Sequence, residues 1–265
     1  MRVFLILTGL IVLILSSCTP DDVDLSQKTW VDLTHPFNDE TLHWPTAEPF
    51  QFDTVFAGQT DETFYYESHR IQTEEHVGTH LDAPIHFYED RNRTHEIPLE
   101  QLIGPAVVID VREQLMDNRD YRVKTEVIED WESEYGEIPD GSILIFHTGF
   151  GQYWPDAQQY MGTTETGEEA LAELSFPGIH HETAEWLVEN RDIKAVGIDT
   201  ASLDYGQSQE FKSHQIFAEQ NIPGFENLAN LEELPATGSQ IVAMPMKIER
   251  GSGGPLRIAA MLPGS

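Results

Sequence analysis

Short apolar runs bounded by turn residues recur along the chain at 106–111, 142–146, 195–198, 241–244 and 257–261. Runs this short, rich in Val, Ile, Leu and Phe, read as buried strands rather than helices. Between them, 125–135 and 181–190 have the length and apolar spacing of amphipathic helices, the second entered through Pro177-Gly178. A shorter helix is expected over 213–220, where Ile216 and Phe217 are apolar, followed by a chain reversal at Pro223-Gly224. Strands alternating with helices predict a mixed α/β domain. No repeat, low-complexity tract or internal linker interrupts the pattern, so 30–265 reads as one domain.

One segment departs from these simple runs. Residues 76–86 read His-Val-Gly-Thr-His-Leu-Asp-Ala-Pro-Ile-His, with His76, His80, Asp82 and His86 on one parity and Val77, Leu81, Ala83 and Ile85 on the other. The alternation is that of a half-buried strand. A straight strand, however, would separate His76 from His80 by roughly 13 Å at about 3.3 Å per residue, too far for a shared ligand. The chain must bend. Gly78 supplies a permissive backbone, and Pro84 opposes a continuing helix, so the segment reads as a strand entering a bent loop. Bent in this way, His76, His80 and Asp82 form a mixed nitrogen and oxygen donor set suited to zinc or manganese. The bland alternative is a set of unrelated surface or core histidines. A single histidine would favour it, but three histidines and an aspartate packed around a glycine and a proline do not.

Composition narrows the partners. With 46 acidic against 15 basic residues the net charge is -31, a surface that repels nucleic acid. Arg2 precedes an apolar run over 3–15, shorter than the roughly 20 residues that span a bilayer, which reads as a signal peptide over 1–17. Leu15-Ser16-Ser17-Cys18 resembles a bacterial lipobox, making Cys18 the expected lipidation site and 18–29 a polar, acidic tether. The expected location is therefore an exported lipoprotein in the periplasm or at the cell surface, held to the membrane by its lipid alone. Cys18 is the only cysteine, which excludes an intrachain disulfide.

Taken together, the 76–86 segment and residues far downstream resemble the cyclase family of metal-dependent hydrolases, the family of bacterial kynurenine formamidases and isatin hydrolases. In that family, His-x-Gly-Thr-His-x-Asp-x-Pro-x-His is followed by a distant histidine and, twelve residues later, a glutamate. His214 and Glu226 stand at that spacing. The segments 142–150, 177–178, 197–204 and 244–257 also look like family blocks, so the resemblance covers roughly 30–262. It implies a swivelling β/β/α fold, usually dimeric or higher, and a centre of one or two divalent ions. By the same resemblance His76, His80, Asp82, His214 and Glu226 are the metal ligands, His86 moves protons, and Trp44 contacts substrate. The implied reaction is hydrolysis of a C–N bond in a small aryl formamide or cyclic amide by an activated water. Asp204-Tyr205-Gly206-Gln207-Ser208 and Phe211-x-x-His214 look more like the isatin hydrolase branch. The competing class is a non-catalytic metal- or ligand-binding lipoprotein, which would have no need of His86.

Other features are weaker. His180-His181 reads as surface or cap residues, because neighbours on a helix point apart. His147 follows a buried strand, where α/β folds place site residues. Gly251-Ser252-Gly253-Gly254 reads as a tight loop, and His35, His43, His69 and His95 carry no assignment.

Overall fold

The computed structural model describes residues 24–116 and 118–264; the expected signal peptide, Cys18 and the first part of the tether lie outside the described residues. Among the described residues no helix is long and apolar enough to cross a membrane. In chain order the elements are β1 (Trp30–Asp32), β2 (Gln51–Gln59), β3 (Tyr65–Gln72), β4 (His80–Asp82), β5 (Ile103–Asp110), β6 (Arg122–Val123), α1 (Thr125–Tyr135), β7 (Ser142–His147), α2 (Ala157–Tyr160), β8 (Gly178–Ile179), α3 (His181–Asn190), β9 (Ile193–Ile198), α4 (Lys212–Glu219), β10 (Gly224–Glu226), β11 (Gln240–Pro245) and β12 (Gly253–Met261).

Eight strands form one mixed sheet in the order β1-β12-β11-β5-β7-β9-β10-β4. Strand β12 also pairs with β4, so the sheet closes on itself. Strands β5, β7, β9 and β10 run parallel, while β4, β11 and β12 are antiparallel to their neighbours. Successive side chains point to opposite faces of a strand. Ala106, Val108, Ile143, Ile145 and Ala195 therefore join Leu81, Phe225, Ile241 and Ile258 in one core. Val107, Ile109, Leu144, Phe146, Val196 and Ile198 form a second core beneath α1, α3 and α4. Burial on both faces explains why these strands are continuous apolar runs in the sequence. The Trp131 indole N–H donates to the Val108 carbonyl at 3.0 Å and fixes α1 against β5.

All five expected strands lie in this sheet, and the helices over 125–135 and 181–190 form as predicted. Two expectations need correction. Residues 76–86 do not form a half-buried strand that leads into a bend: the bend comes first, at Gly78 with φ +63°, and the strand is only His80–Asp82, buried at all three positions. Pro84–His86 then forms a 3-10 turn. Gly253 and Gly254 are not part of a loop but open β12, opposite Asp82 and Leu81. A β-carbon on Gly253 would strike the His76 ring and approach the Leu81 carbonyl to 2.7 Å, which is why glycine is needed there. The β2–β3 hairpin has no counterpart in the sequence reading, because almost every residue in it is exposed and no buried face imposes alternation.

Candidate metal centre and substrate pocket

The centre is assembled where β4 is held between β10 and β12. His80 and Asp82, two residues apart, share one face of β4. The antiparallel register sets Glu226 of β10 directly opposite His80. His214 enters from the first turn of α4, whose start is fixed by Asp204: its carboxylate accepts the backbone N–H groups of Ser213 and His214, each at 3.2 Å. His76 reaches the group from the bend before β4, across the space that Gly253 leaves open.

These five side chains converge. His76 Nδ1 lies 2.6 Å from Asp82 Oδ1, and His80 Nε2 lies 3.2 Å from the same oxygen and 3.4 Å from Glu226 Oε2. His214 Nε2 lies 3.3 Å from Asp82 Oδ2 and 2.9 Å from Glu226 Oε1. Two overlapping sets result, His76/His80/Asp82 and Asp82/His214/Glu226, with the potential ligand atoms of each within 4.8 Å of one another. Every imidazole is turned by an acceptor on its far side. His80 Nδ1 faces the Gly78 carbonyl at 2.8 Å, His214 Nδ1 faces Asp204 Oδ2 at 2.6 Å, and His76 Nε2 faces the Ser252 hydroxyl at 3.2 Å. Ser252 in turn donates to Glu75 at 2.6 Å. Such partners fix the tautomer so that the free ring nitrogen points at the centre.

The electrostatics favour a cation. Burial disfavours the charged form of His80, but hydrogen bonds and attraction from Asp82 and Glu226 outweigh it and carry the imidazole up to about 10. In His214 burial is likewise overcome, by Asp204, Asp82 and Glu226, and the ring is raised well above its ordinary value. Burial pushes the Asp82 carboxyl up, yet the surrounding histidines hold it well below the usual carboxylate range. Three imidazoles with inward lone pairs and two buried carboxylates fit a divalent ion of the zinc or manganese kind.

His86 and Trp44 border this centre without belonging to the ligand group. His86 stacks on His76 with ring centroids 3.8 Å apart, and its neighbour Phe87 lies over His214 at 4.3 Å. Desolvation by the groups packed against the His86 ring disfavours its charged form and lowers it to about 4, so it is neutral at pH 7. Trp44 meets Phe176 and Phe211 edge-on at 6.4 and 6.2 Å. Trp44 and Phe211, together with Leu42, Phe87 and Met161, wall a cavity of about 290 Å³ whose floor is the metal centre.

The sequence reading did not single out Phe87, Glu75 or Ser252 as site residues, and it noted Asp204 and Phe211 only as parts of a resemblance. Asp204 precedes His214 by ten residues with no spacing rule to mark it. His147 does not line the pocket; it ends β7 near Asp199. His180 is the N-cap of α3, accepting the Glu182 N–H at 3.2 Å, as expected for a cap residue.

Comparison with known proteins gives the family. The cyclase family model matches residues 31–205. The chain is 31% identical over 197 residues to the isatin hydrolase of Roseibium aggregatum, covering 71% of this chain and 72% of that one. It is 23% identical over 231 residues to the kynurenine formamidase of Bacillus anthracis, covering 86% and 95%. The structure of isatin hydrolase A from Labrenzia aggregata bound to benzyl benzoate superposes with a TM-score of 0.80 at 31% identity, over 89% of this chain and 94% of that one. With the family model matching most of the chain, and with relatives that are hydrolases of C–N bonds, the chain belongs to the cyclase family and is a metal-dependent hydrolase.

Proposed function

We propose that the protein opens the C–N bond of a small aryl amide, with a cyclic amide of the isatin type as the preferred substrate and an open-chain aryl formamide as the second. The observation that carries this is His86 stacked on His76 beside five potential metal ligands at the floor of an aromatic pocket. The higher identity to the isatin hydrolase than to the formamidase favours the cyclic substrate.

His76, His80, Asp82, His214 and Glu226 would hold zinc or manganese, as one ion or as two sharing Asp82. A bound divalent ion polarises the carbonyl and lowers the pKa of water towards about 7. Trp44, Phe87 and Phe211 hold the aryl ring and orient its carbonyl to the centre. His86, uncharged at neutral pH, takes a proton from the attacking water and delivers it to the departing nitrogen. That delivery matters because an amide anion is a poor leaving group. Asp204 and the Glu75-Ser252 pair keep His214 and His76 in their working tautomers.

The test is hydrolysis of isatin and N-formylkynurenine by chelator-stripped protein, with and without added zinc or manganese. Metal-restored turnover of isatin above that of N-formylkynurenine is expected. Stoichiometric metal with no turnover of either, or of simple lactams, would leave a metal-binding protein without this activity.

We infer further that the protein assembles as a homodimer or higher oligomer. Support comes from the β2–β3 hairpin, a two-stranded ribbon that exposes Phe52, Val55, Phe56, Tyr65, Tyr66 and Ile71 at 40–58% of their surface. An isolated hairpin with this much apolar surface is marginal in water and calls for a partner. We also infer export and lipidation at Cys18, supported by the apolar run over 3–15 and the Leu-Ser-Ser-Cys motif. Mass spectrometry of the protein from membranes would read an acylated N-terminal Cys18; an unmodified Met1 would contradict it.

A further inference from the structure

A second cavity of about 270 Å³ lies behind the metal centre, between β6, the start of α3 and the loop 204–212. We propose that it binds a small oxyanion, a carboxylate or a phosphate. The inference does not depend on the substrate assigned above.

The argument begins with charge. In a chain with 46 acidic and 15 basic residues, anions are repelled at long range, so a site for one must supply its own donors at close range. This cavity does. The central guanidinium carbon of Arg122 lies over the Tyr205 ring, 3.6 Å from its centroid, a contact that uses the face of the group and leaves its N–H edge to donate. Among the described residues it has no ion-pair partner, whereas Arg112, Arg191 and Arg257 are held by Asp110, Glu132 and Asp32. His180 and His181 stack at 4.5 Å on the same wall. Because His180 Nδ1 accepts the Glu182 N–H, its Nε2 carries a proton to donate. Lys212 stands on the loop side.

Acidic groups are present too. Glu210 pairs with Lys212 at 2.8 Å, and Glu182 lies 3.8 Å from His180, but their side chains are 72% and 76% exposed and are free to turn to water. Asp204 is buried, with one carboxylate oxygen committed to His214. The net local offer is a planar guanidinium, two imidazole edges and an ammonium, a set that suits a ligand with two or more charged oxygens.

The two cavities stand back to back. Asp204 lines this one and orients His214 in the other, and the loop 204–212 that forms its wall contributes Phe211 to the substrate pocket. Phe211 adopts a left-handed backbone, φ +47°, unusual for an aromatic residue. An anion bound here would hold that loop from its outer side.

The experiment is a titration of the zinc-saturated protein with inorganic phosphate and, separately, with benzoate, following imidazole ¹⁵N resonances and amide hydrogen exchange. Saturable shifts of His180 and His181, with slowed exchange over 204–212, are expected. Arg122→Gln and, independently, His181→Ala should weaken binding about tenfold or more, the loss of one charge-assisted hydrogen bond. The anion with the tighter binding identifies the source, and either ranking supports the site. The proposal is overturned if His180 and His181 do not respond to either anion, if movement is confined to His76, His80 and His214, or if both variants bind as tightly as the parent.

Discussion

Asp82 is the side chain on which the centre depends: it touches His76, His80 and His214 at 2.6, 3.2 and 3.3 Å and belongs to both ligand sets. The carboxylates that raise His80 and His214 have a consequence for metal binding. A raised imidazole keeps its proton below the raised value, and a metal can bind only after displacing it. Metal affinity must therefore rise with pH through the neutral range, by about a factor of ten per pH unit for each proton displaced. Chelator competition at pH 6, 7 and 8 reads this directly, and a pH-independent affinity would contradict it. His76, His80, Asp82 and His86 were legible in the sequence because they crowd into eleven residues with a glycine and a proline between them. His214 and Glu226 were legible only through a family resemblance: taken alone, Glu226 is one acid among 46. Asp204 stood out only within a stretch that resembles the isatin hydrolases, and its role was not legible, because that role is set by contact with His214 and with the first turn of α4.

The elements show the same division. Buried parallel strands leave a strong trace, since both faces demand apolar residues, and α1 and α3 lie where periodicity placed them. Strand β4 left a misleading one. Its three residues owe their conformation to β10 and β12 on either side, not to their own alternation. Gly253 is the tightest point of that junction, and its cost is testable. Gly253→Ala would drive a methyl group into the His76 ring and towards the Leu81 carbonyl, an overpacking that costs about 1–3 kcal/mol. A folded protein with a lowered melting temperature and a markedly weakened metal affinity is expected, read by calorimetry and metal analysis. Unchanged values for both would show that β12 and β4 are not packed this closely.

For the whole molecule, the closed sheet explains how ligands from residue 76 to residue 226 meet: β4 and β10 are neighbours, and β12 locks β4 from the other side. The β2–β3 hairpin is the part that the closed sheet does not explain. If it is the contact between copies, Phe56→Asp with Tyr66→Asp should convert an oligomer to a monomer by light scattering while the metal content is unchanged. A monomeric parent protein would remove that role.

The central claim is that one group of residues holds the metal while His86 moves protons. Metal content and turnover, measured together on Asp82→Ala and His86→Ala, separate the two roles. Asp82→Ala is expected to lose metal and turnover together, and His86→Ala to keep stoichiometric metal while turnover falls by roughly 10²–10⁴-fold. Full metal in Asp82→Ala, or an undiminished rate in His86→Ala, would contradict it.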